Sequence, residues 1–284
     1  DGFCLRSVRV VMGEHDDLWL LDMTHSTGSE SSSDGPPIGV IRVTAGVTVS
    51  DPNYVATVLA PRSKVGRGRS AERLILVIDL GGPTSAELFE GICETVAEGY
   101  WTSSGSSTAA LRRAALAATR RIFQHNLGVG TADRSYGGLG IVACTNEEAF
   151  VLEAGAIRAC LLHGDGLECF PGNESSALVG TGPLSDMRLD HAFLAPEDRL
   201  LICSSGFLNH LEEEVVRDDL RRGDVGRILE GLAAFGSGTD FNAMVIGANY
   251  RQAEEHLADH TRQAESQPQD VSPSPGIHMR GGAL

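Results

Sequence analysis

The stretch Arg73-Leu-Ile-Leu-Val-Ile-Asp79-Leu-Gly-Gly82 decides the fold of this chain. A run of consecutive apolar residues that ends in a single carboxylate predicts a buried central strand, which carries Asp79 to its end. Two glycines then break the strand. Because Thr84 and Glu87 have the spacing of a capping box, we expect a helix to begin directly afterwards, with Thr84 as its N-cap.

Outward from this stretch, the pattern predicts helix pairs that alternate with runs of short strands. We expect the first helix to end at Gly99 and a second to begin near Ser106–Thr108. Two more follow at about Leu211–Leu220 and after an N-cap at Asp224. The predicted strands are Val8–Met12, Leu18–Leu21, Val40–Val43, Tyr54–Leu59, Arg73–Asp79, Gly138–Cys144, Ala149–Glu153, Ile157–His163, Leu167–Phe170, Met187–Phe193, Arg199–Cys203 and Asn242–Ala248. This order excludes a simple βαβ alternation. It predicts an α/β (α+β) chain folded as a four-layer α-β-β-α sandwich, in which two stacked, mostly antiparallel sheets are flanked by helix pairs.

The predicted domain organisation is simple. We expect a single domain over residues 1–250, with an exposed loop insertion at about residues 26–37 that is rich in Ser, Gly and Pro. Residues 251–284 begin with an acidic helical pattern and end without apolar periodicity. They predict a C-terminal helix and a disordered tail.

Composition excludes several classes of partner. The 284 residues carry 23 basic and 38 acidic side chains, a net charge of −15, which repels phosphate backbones and anionic lipid surfaces. No stretch approaches the roughly 20 apolar residues that a membrane helix needs. We therefore expect neither nucleic-acid binding nor membrane insertion.

The 6 cysteines form no CxxC pair and no zinc-ligand spacing. We expect them to be small buried residues in a reducing compartment, which predicts a cytoplasmic protein or one in another reducing compartment. Residue 1 is Asp rather than Met, so a removed targeting segment stays open.

Four stretches resemble, in the right order, motifs of the metal-dependent protein phosphatases of the protein phosphatase 2C type. Leu76–Gly82 looks like that family's strand ending in D-G-x-G-G, and Leu152–Leu161 looks like its turn around G-D-S-R. Leu194–Leu208 is similar to the segment D-x-L-L-L-x-S-D-G-L, and Gly238–Ile246 resembles the closing D-N-x-T-x-x-V strand. The resemblance implies the same sandwich fold. Residues 1–60 hold no convincing R-x-x-N-E-D motif, and Ser50-Asp51-Pro52-Asn53 is the nearest stretch.

The resemblance also implies a chemistry, which is hydrolysis of phosphoserine and phosphothreonine by a water bridging two Mg²⁺ or Mn²⁺ ions. Such ions need several oxygen ligands, mostly carboxylates. Asp79 stands where the main metal-bridging Asp belongs, and Leu80 replaces a glycine whose carbonyl approach we expect its side chain to crowd. The other acidic or polar motif positions hold Ala156, Ile157, Ser205 and Phe241. Asp240 lies one residue early, and such a shift on a strand points a side chain to the other face.

Asp79 and Asp240 are thus the only predicted metal residues, and we interpret both as vestigial. The sequence predicts a catalytically inactive, pseudophosphatase-like domain that binds proteins as a regulatory or scaffold module, with no catalytic residue and no cofactor. Its partner would be a kinase, another phosphatase or a subunit of a complex. The alternative is an active serine/threonine phosphatase with an atypical Mg²⁺ or Mn²⁺ site, built from Asp79, Asp240 and an N-terminal acid such as Asp51.

Overall fold

The computed structural model describes residues 38–49, 66, 68–170, 177–183, 186–209, 211–236 and 238–247, and the backbone of short strands at 6–8, 23–25 and 55–59. The chain divides into Asp1–Asn249 and Tyr250–Leu284, and all described residues belong to the first unit. The loop at about 26–37 and the C-terminal helix and tail lie outside the described residues. The domain boundary near residue 250 stays a prediction.

The described strands form two large antiparallel sheets and a separate two-stranded one. The strands are β1 (Arg6–Val8), β2 (Met23–His25), β3 (Ile38–Thr44), β4 (Val47–Thr48), β5 (Val55–Leu59), β6 (Arg73–Gly81), β7 (Tyr136–Cys144), β8 (Glu148–Gly155), β9 (Ile157–His163), β10 (Gly166–Cys169), β11 (Met187–Phe193), β12 (Arg199–Ser204) and β13 (Phe241–Gly247). The five-stranded sheet has the order β11-β8-β7-β6-β5, and the six-stranded sheet has the order β10-β9-β12-β13-β3-β4. The strands β1 and β2 pair with each other.

Helices cover the outer faces of both sheets. They are α1 (Ala86–Trp101), α2 (Ser107–Gly128), α3 (Ser205–Leu208), α4 (Glu213–Leu220) and α5 (Val225–Phe235), with a 3₁₀ turn at Thr131–Asp133. Three apolar clusters separate the layers: one lies between α1–α2 and the five-stranded sheet, one between α3–α5 and the six-stranded sheet, and one between the sheets. This arrangement confirms the predicted four-layer sandwich. Among the described residues, no helix is both long and apolar enough to cross a bilayer.

The alternation of side chains along β6 positions the candidate site. Leu76, Ile78 and Leu80 pack in the cluster beneath α1 and α2, whereas Ile75 and Val77 pack in the cluster between the sheets. Because successive side chains on a strand point to opposite faces, the next residue on the second face is Asp79. Burial on both faces explains why the sequence shows an unbroken apolar run.

The first helix differs from its prediction at both ends. Its N-cap is Ser85, whose Oγ accepts a hydrogen bond from the backbone N–H of Leu88 at 3.1 Å, and not Thr84. Gly99 does not end the helix, which continues to Trp101. A Cβ at Gly99 would lie 3.0 Å from the Cα of Ala114. The glycine therefore lets α1 approach α2 closely and is not a helix terminator.

The prediction that the cysteines are unpaired is wrong for Cys160 and Cys169, which form a disulfide. The two residues are direct cross-strand neighbours in the β9–β10 pair, a relation that sequence spacing alone does not reveal. Cys93, Cys144 and Cys203 are free and buried, as expected.

Candidate functional site around Asp79

Asp79 lies near the end of β6, on the face that looks toward the other sheet. Its backbone is paired with Gly138 of β7, and its side chain is partly buried. The nearest side-chain partner comes from the other sheet: Nδ2 of Asn242 donates a hydrogen bond to Oδ1 of Asp79 at 2.6 Å. This contact joins residues 163 positions apart in sequence and links β6 to β13.

Asn242 is itself fixed by Ser204, the last residue of β12. The backbone N–H of Asn242 donates to Oγ of Ser204 at 2.9 Å, and both residues are more than nine-tenths buried. Oγ of Ser204 also donates to the carbonyl oxygen of Asn242 at 3.4 Å, and this hydroxyl acts to lower the pKa of Asp79. The carboxylate therefore lies beside an amide and a hydroxyl, two neutral groups, and the amide satisfies one of its oxygens.

Burial and the neighbouring polar groups have opposite effects on the pKa of Asp79. Burial raises the pKa of Asp79 above its ordinary value, while the hydrogen bonds from Ser204 and Asn242 and the positive charge of Arg42 act to lower that pKa. Arg42 is the direct cross-strand neighbour of Asn242 on β3. The guanidinium of Arg42 thus contributes a positive charge close to the carboxylate of Asp79.

The second of the four family-like stretches, Leu152–Leu161, places apolar groups near Asp79. Gly155 keeps the position of the family's glycine because the turn there requires a φ of 70°, and a Cβ would lie 2.2 Å from the carbonyl oxygen of Gly137. Ile157 follows and packs in the cluster between the sheets. Its Cγ1 lies 2.5 Å from where a Cβ on Gly138 would be, so the side chain fills the space above β7.

The third and fourth motifs also place no acid beside Asp79. Ser205 begins α3, and its backbone N–H donates to the carbonyl of Ala156 at 3.0 Å. Phe241 points to the outer helices and stacks on Phe207 with 3.9 Å between ring centroids. On β13 it is therefore Asn242, and not its neighbour, that faces Asp79.

Two expectations about individual residues can be compared with the structure. The expected crowding by Leu80 is wrong, because its side chain packs in the cluster beneath α1 and α2, on the opposite face of β6 from Asp79. Asp240 is exposed, and its Oδ1 accepts a hydrogen bond from the backbone N–H of Ala45 in the β3–β4 turn at 2.6 Å. The structure thus gives Asp79 and Asp240 different partners. Asp51 lies outside the described residues.

Among the residues that the structure describes, the donor set around Asp79 does not fit two divalent cations. It offers one carboxylate, one hydroxyl and the Oδ1 atom of Asn242, which is buried and lacks a hydrogen-bond partner. Paired Mg²⁺ or Mn²⁺ ions need several anionic oxygens, and the nearby guanidinium of Arg42 adds repulsion. In the part of the chain that the structure describes, no group of three or more His, Cys, Asp or Glu residues could hold a metal ion.

Sequence reasoning missed one further acid, Glu153 on β8. It is only 3% exposed and lies between the sheets, where Oε1 accepts a hydrogen bond from the backbone N–H of Ala159 on β9 and Oε2 has no partner. Burial raises the pKa of Glu153 to about 7, and the nearby charge of Asp190 adds to the rise. The signal was a lone acid in an otherwise apolar strand.

Comparison with solved structures gives the fold a precedent. PppA, described as a key regulatory component of T6SS in Pseudomonas aeruginosa, matches with a TM-score of 0.53 and 18% identity over 76% of this chain and 99% of its own. The Mycobacterium tuberculosis serine/threonine phosphatase PstP/Ppp matches with a TM-score of 0.54 and 14% identity over 75% of this chain and 99% of its own. The serine/threonine phosphatase Stp1 of Staphylococcus aureus has a TM-score of 0.56 and 13% identity, over 78% and 99%.

No family model and no curated protein matches the sequence. At sequence identities below one fifth, these structural similarities show the fold alone. The two large antiparallel sheets and their flanking helices agree with that likeness. This chain therefore has the fold of the bacterial serine/threonine phosphatases of the protein phosphatase 2C type.

Proposed function

We propose that this chain is a catalytically inactive domain of the protein phosphatase 2C fold, which acts as a protein-binding, regulatory or scaffold module. The observation that carries the proposal is the contact between Asp79 and Asn242, because the side chain that meets this carboxylate from the other sheet is a neutral amide and not a second acid. The partner would be a kinase, another phosphatase or a subunit of a complex. PppA, which is described as a regulatory component, supports a regulatory use of this fold.

The apolar filling of the region supports the same proposal. Ile157 packs between the sheets and Phe241 beneath the helices, so two motif positions that are polar in the family stabilise the core here. A buried apolar side chain contributes about 1.5–3 kcal/mol to folding, whereas a metal-binding carboxylate at the same place would oppose folding in the absence of its ion. The residues thus fit a domain retained for its shape.

A second candidate is an active phosphatase with an atypical Mg²⁺ or Mn²⁺ site. Asp79 favours it, since this carboxylate remains partly exposed at the strand end that precedes Gly81 and Gly82. One solved neighbour is described as a phosphatase catalytic domain in complex with 2 manganese ions. In this candidate Asp240 and an N-terminal acid such as Asp51 would complete the site.

The deciding experiment measures turnover of p-nitrophenyl phosphate and of a phosphothreonine peptide with millimolar Mn²⁺ or Mg²⁺. Our proposal expects equal rates for the wild type and for Asp79→Asn, and no Mn²⁺-dependent rise in melting temperature, because a ligand that binds only the folded state must raise it. Asp240→Asn is the matched control at the other predicted metal residue. Mn²⁺-dependent turnover that Asp79→Asn abolishes would refute the proposal and support the second candidate.

A further inference from the structure

The edge strand β11 (Met187–Phe193) offers a pairing surface at the far side of the five-stranded sheet, three strands away from β6. In the part of the chain that the structure describes, β11 pairs with β8 on one side and with no strand on the other. The pairing with β8 is regular from Met187 opposite Ala154 to Phe193 opposite Glu148. A regular edge of this length, without proline or a bulge, presents backbone groups that can receive another strand.

Hydrogen bonding identifies which backbone groups are available. The N–H of Leu194 donates to the carbonyl of Glu147 on the β8 side at 2.7 Å. Since the backbone groups of successive residues in an antiparallel strand point in alternate directions, even-numbered residues of β11 bond to β8 and odd-numbered residues point outward. The outward residues are Met187, Leu189, His191 and Phe193.

The side chains of the same odd-numbered residues form one row on the face that packs toward α1 and α2, and all of them except His191 are apolar. Met187 and Leu189 pack against the cluster beneath α1 and α2. The ring of His191 stacks on Phe150 with 4.4 Å between centroids, and Phe193 is 73% exposed. The row thus runs from the core to the surface along the free edge, and an added strand would cover it.

The charges of β11 select a second copy of this chain as the occupant. When two β11 strands pair antiparallel about Leu189, Arg188 of each copy lies opposite Asp190 of the other. Both are non-hydrogen-bonded pairs, in which side chains come closest. The adjacent symmetric registers, centred on Arg188 or on Asp190, would instead place two like charges opposite each other. Oδ2 of Asp190 is buried and has no hydrogen-bond partner within the described chain.

We propose that β11 is a homodimer interface, in which two copies pair antiparallel about Leu189 and join their five-stranded sheets into one continuous sheet. The pairing makes reciprocal backbone hydrogen bonds between the two Leu189 residues and between Met187 and His191, with an Arg188–Asp190 ion pair on each side. One strand pair is a small interface, so the dimer is weak, with a dissociation constant of about 10–100 µM.

The test uses charge variants of the full chain, measured by light scattering and native mass spectrometry up to about 500 µM. Arg188→Asp places four acids at the pairing and Asp190→Arg places four arginines, so each variant alone is expected to be monomeric. An equimolar mixture of the two restores both opposite-charge pairs and is expected to form heterodimers. The double variant R188D/D190R restores homodimers.

A folding defect cannot mimic this pattern, because mixing two misfolded variants does not create a specific heterodimer. Leu189→Pro supplies an independent arm, since it removes an outward N–H that β8 does not use, and we expect a monomer. A wild type that stays monomeric at every concentration would overturn the proposal. Variants that fail to form heterodimers when mixed, or a Leu189→Pro chain that still dimerises, would do so equally.

Discussion

The amide of Asn242 determines what the carboxylate of Asp79 can do. A carboxylate that accepts a hydrogen bond at 2.6 Å from a fixed, buried amide has one oxygen already satisfied. The pair brings only one negative charge to this position, and the positive charge of Arg42 stabilises it. A second carboxylate at the same place would have to share the space without a counter-ion.

Asn242→Asp therefore tests the site at the level of one atom. We expect the free energy of unfolding at pH 7 to fall by about 1–3 kcal/mol, because two carboxylates would repel each other, and to recover below pH 5 as one of them is protonated. Urea unfolding at both pH values measures the effect. The swapped pair D79N/N242D keeps one amide and one carboxylate and should regain most of the loss. Equal destabilisation of the swapped pair would contradict the prediction.

Glu153 gives a second prediction for a single residue. Its pKa in the folded protein is about 7, above the ordinary value of 4.5, so the native state binds a proton more tightly than the unfolded state. Stability from this group is therefore present at pH 5 and lost as the pH rises through 7. Glu153→Gln removes that dependence.

We expect the free energy of unfolding of Glu153→Gln, relative to that of the wild type, to rise by about 2–3 kcal/mol between pH 5 and pH 8. The measurement is urea unfolding of both chains at the two pH values. Glu147→Gln, at an exposed position in the turn before the same strand, is the matched control and should follow the wild type. A constant difference between wild type and Glu153→Gln would show that Glu153 is not the titrating group.

At the scale of elements, the helices α4 and α5 pack closely against each other. Asp219 on α4 is fully buried, and a Cβ on Gly231 of α5 would lie 1.8 Å from its Oδ1. Nε of Arg222 lies 3.2 Å from the same Oδ1. The packing of these helices thus depends on the absence of a side chain at one position.

Gly231→Ala should destabilise the chain by about 1–3 kcal/mol, since Asp219 must shift to admit the methyl group. In an Asp219→Ala background the same substitution should cost much less, because the obstructing carboxylate is gone. Gly128→Ala, at the end of α2, has open space around it and is the control, with little expected change. Thermal unfolding of the four chains completes the comparison. Full additivity of the two substitutions would mean that Asp219 is not the obstacle.

The β9–β10 hairpin carries another prediction for an element. The Cys160–Cys169 disulfide closes a short loop, with a sequence separation of 9. By the loop-closure model such a bond stabilises by about 2–3 kcal/mol, so dithiothreitol or C160A/C169A should lower the free energy of unfolding by that amount. Cys144→Ala, which removes a free buried thiol, separates loss of the bond from loss of packing. An unchanged unfolding curve under dithiothreitol would refute the prediction.

At the scale of the whole molecule, the resolved shifts of the buried acids and of His163 have the same sign. Burial raises the pKa of Asp79, Glu153, Asp190 and Asp219, and the hydrogen bond to Asp198 raises the pKa of His163. In each case the folded chain holds its proton more tightly, so stability falls as the pH rises through these values. The net charge of −15 acts in the same direction, because protonation reduces repulsion.

The wild-type chain should therefore be about 2–4 kcal/mol more stable at pH 5.5 than at pH 8. Denaturant unfolding across this range, at constant ionic strength, is the measurement. Repeating it in 0.5 M NaCl separates the two contributions, since salt screens the net charge more than the buried groups. A stability that rises toward pH 8 would contradict the shared sign of the shifts.

The layers of the molecule could be predicted from the sequence, but the partners of its polar groups could not. The unbroken apolar run of β6 and the N-cap at Asp224 are local signals, and both elements formed as predicted. In β13 every residue is buried, so alternation gave no sign that Asn242 faces Asp79 and Phe241 does not. The disulfide and the burial of Glu153 depend on strand register and on the approach of two sheets, which single stretches of sequence do not encode.

The glycines of β7 limit which side chains could be introduced around Asp79. A Cβ at Gly137 would lie 1.9 Å from the carbonyl oxygen of Asp79, and at Gly138 the tip of Ile157 occupies the space. A side chain therefore cannot be introduced at Gly137 or Gly138 unless the surrounding structure shifts. Anyone who wishes to install an ion-binding centre must place new carboxylates on the rim, at positions such as Asn242 and Ser204, and must also remove the competing positive charge of Arg42.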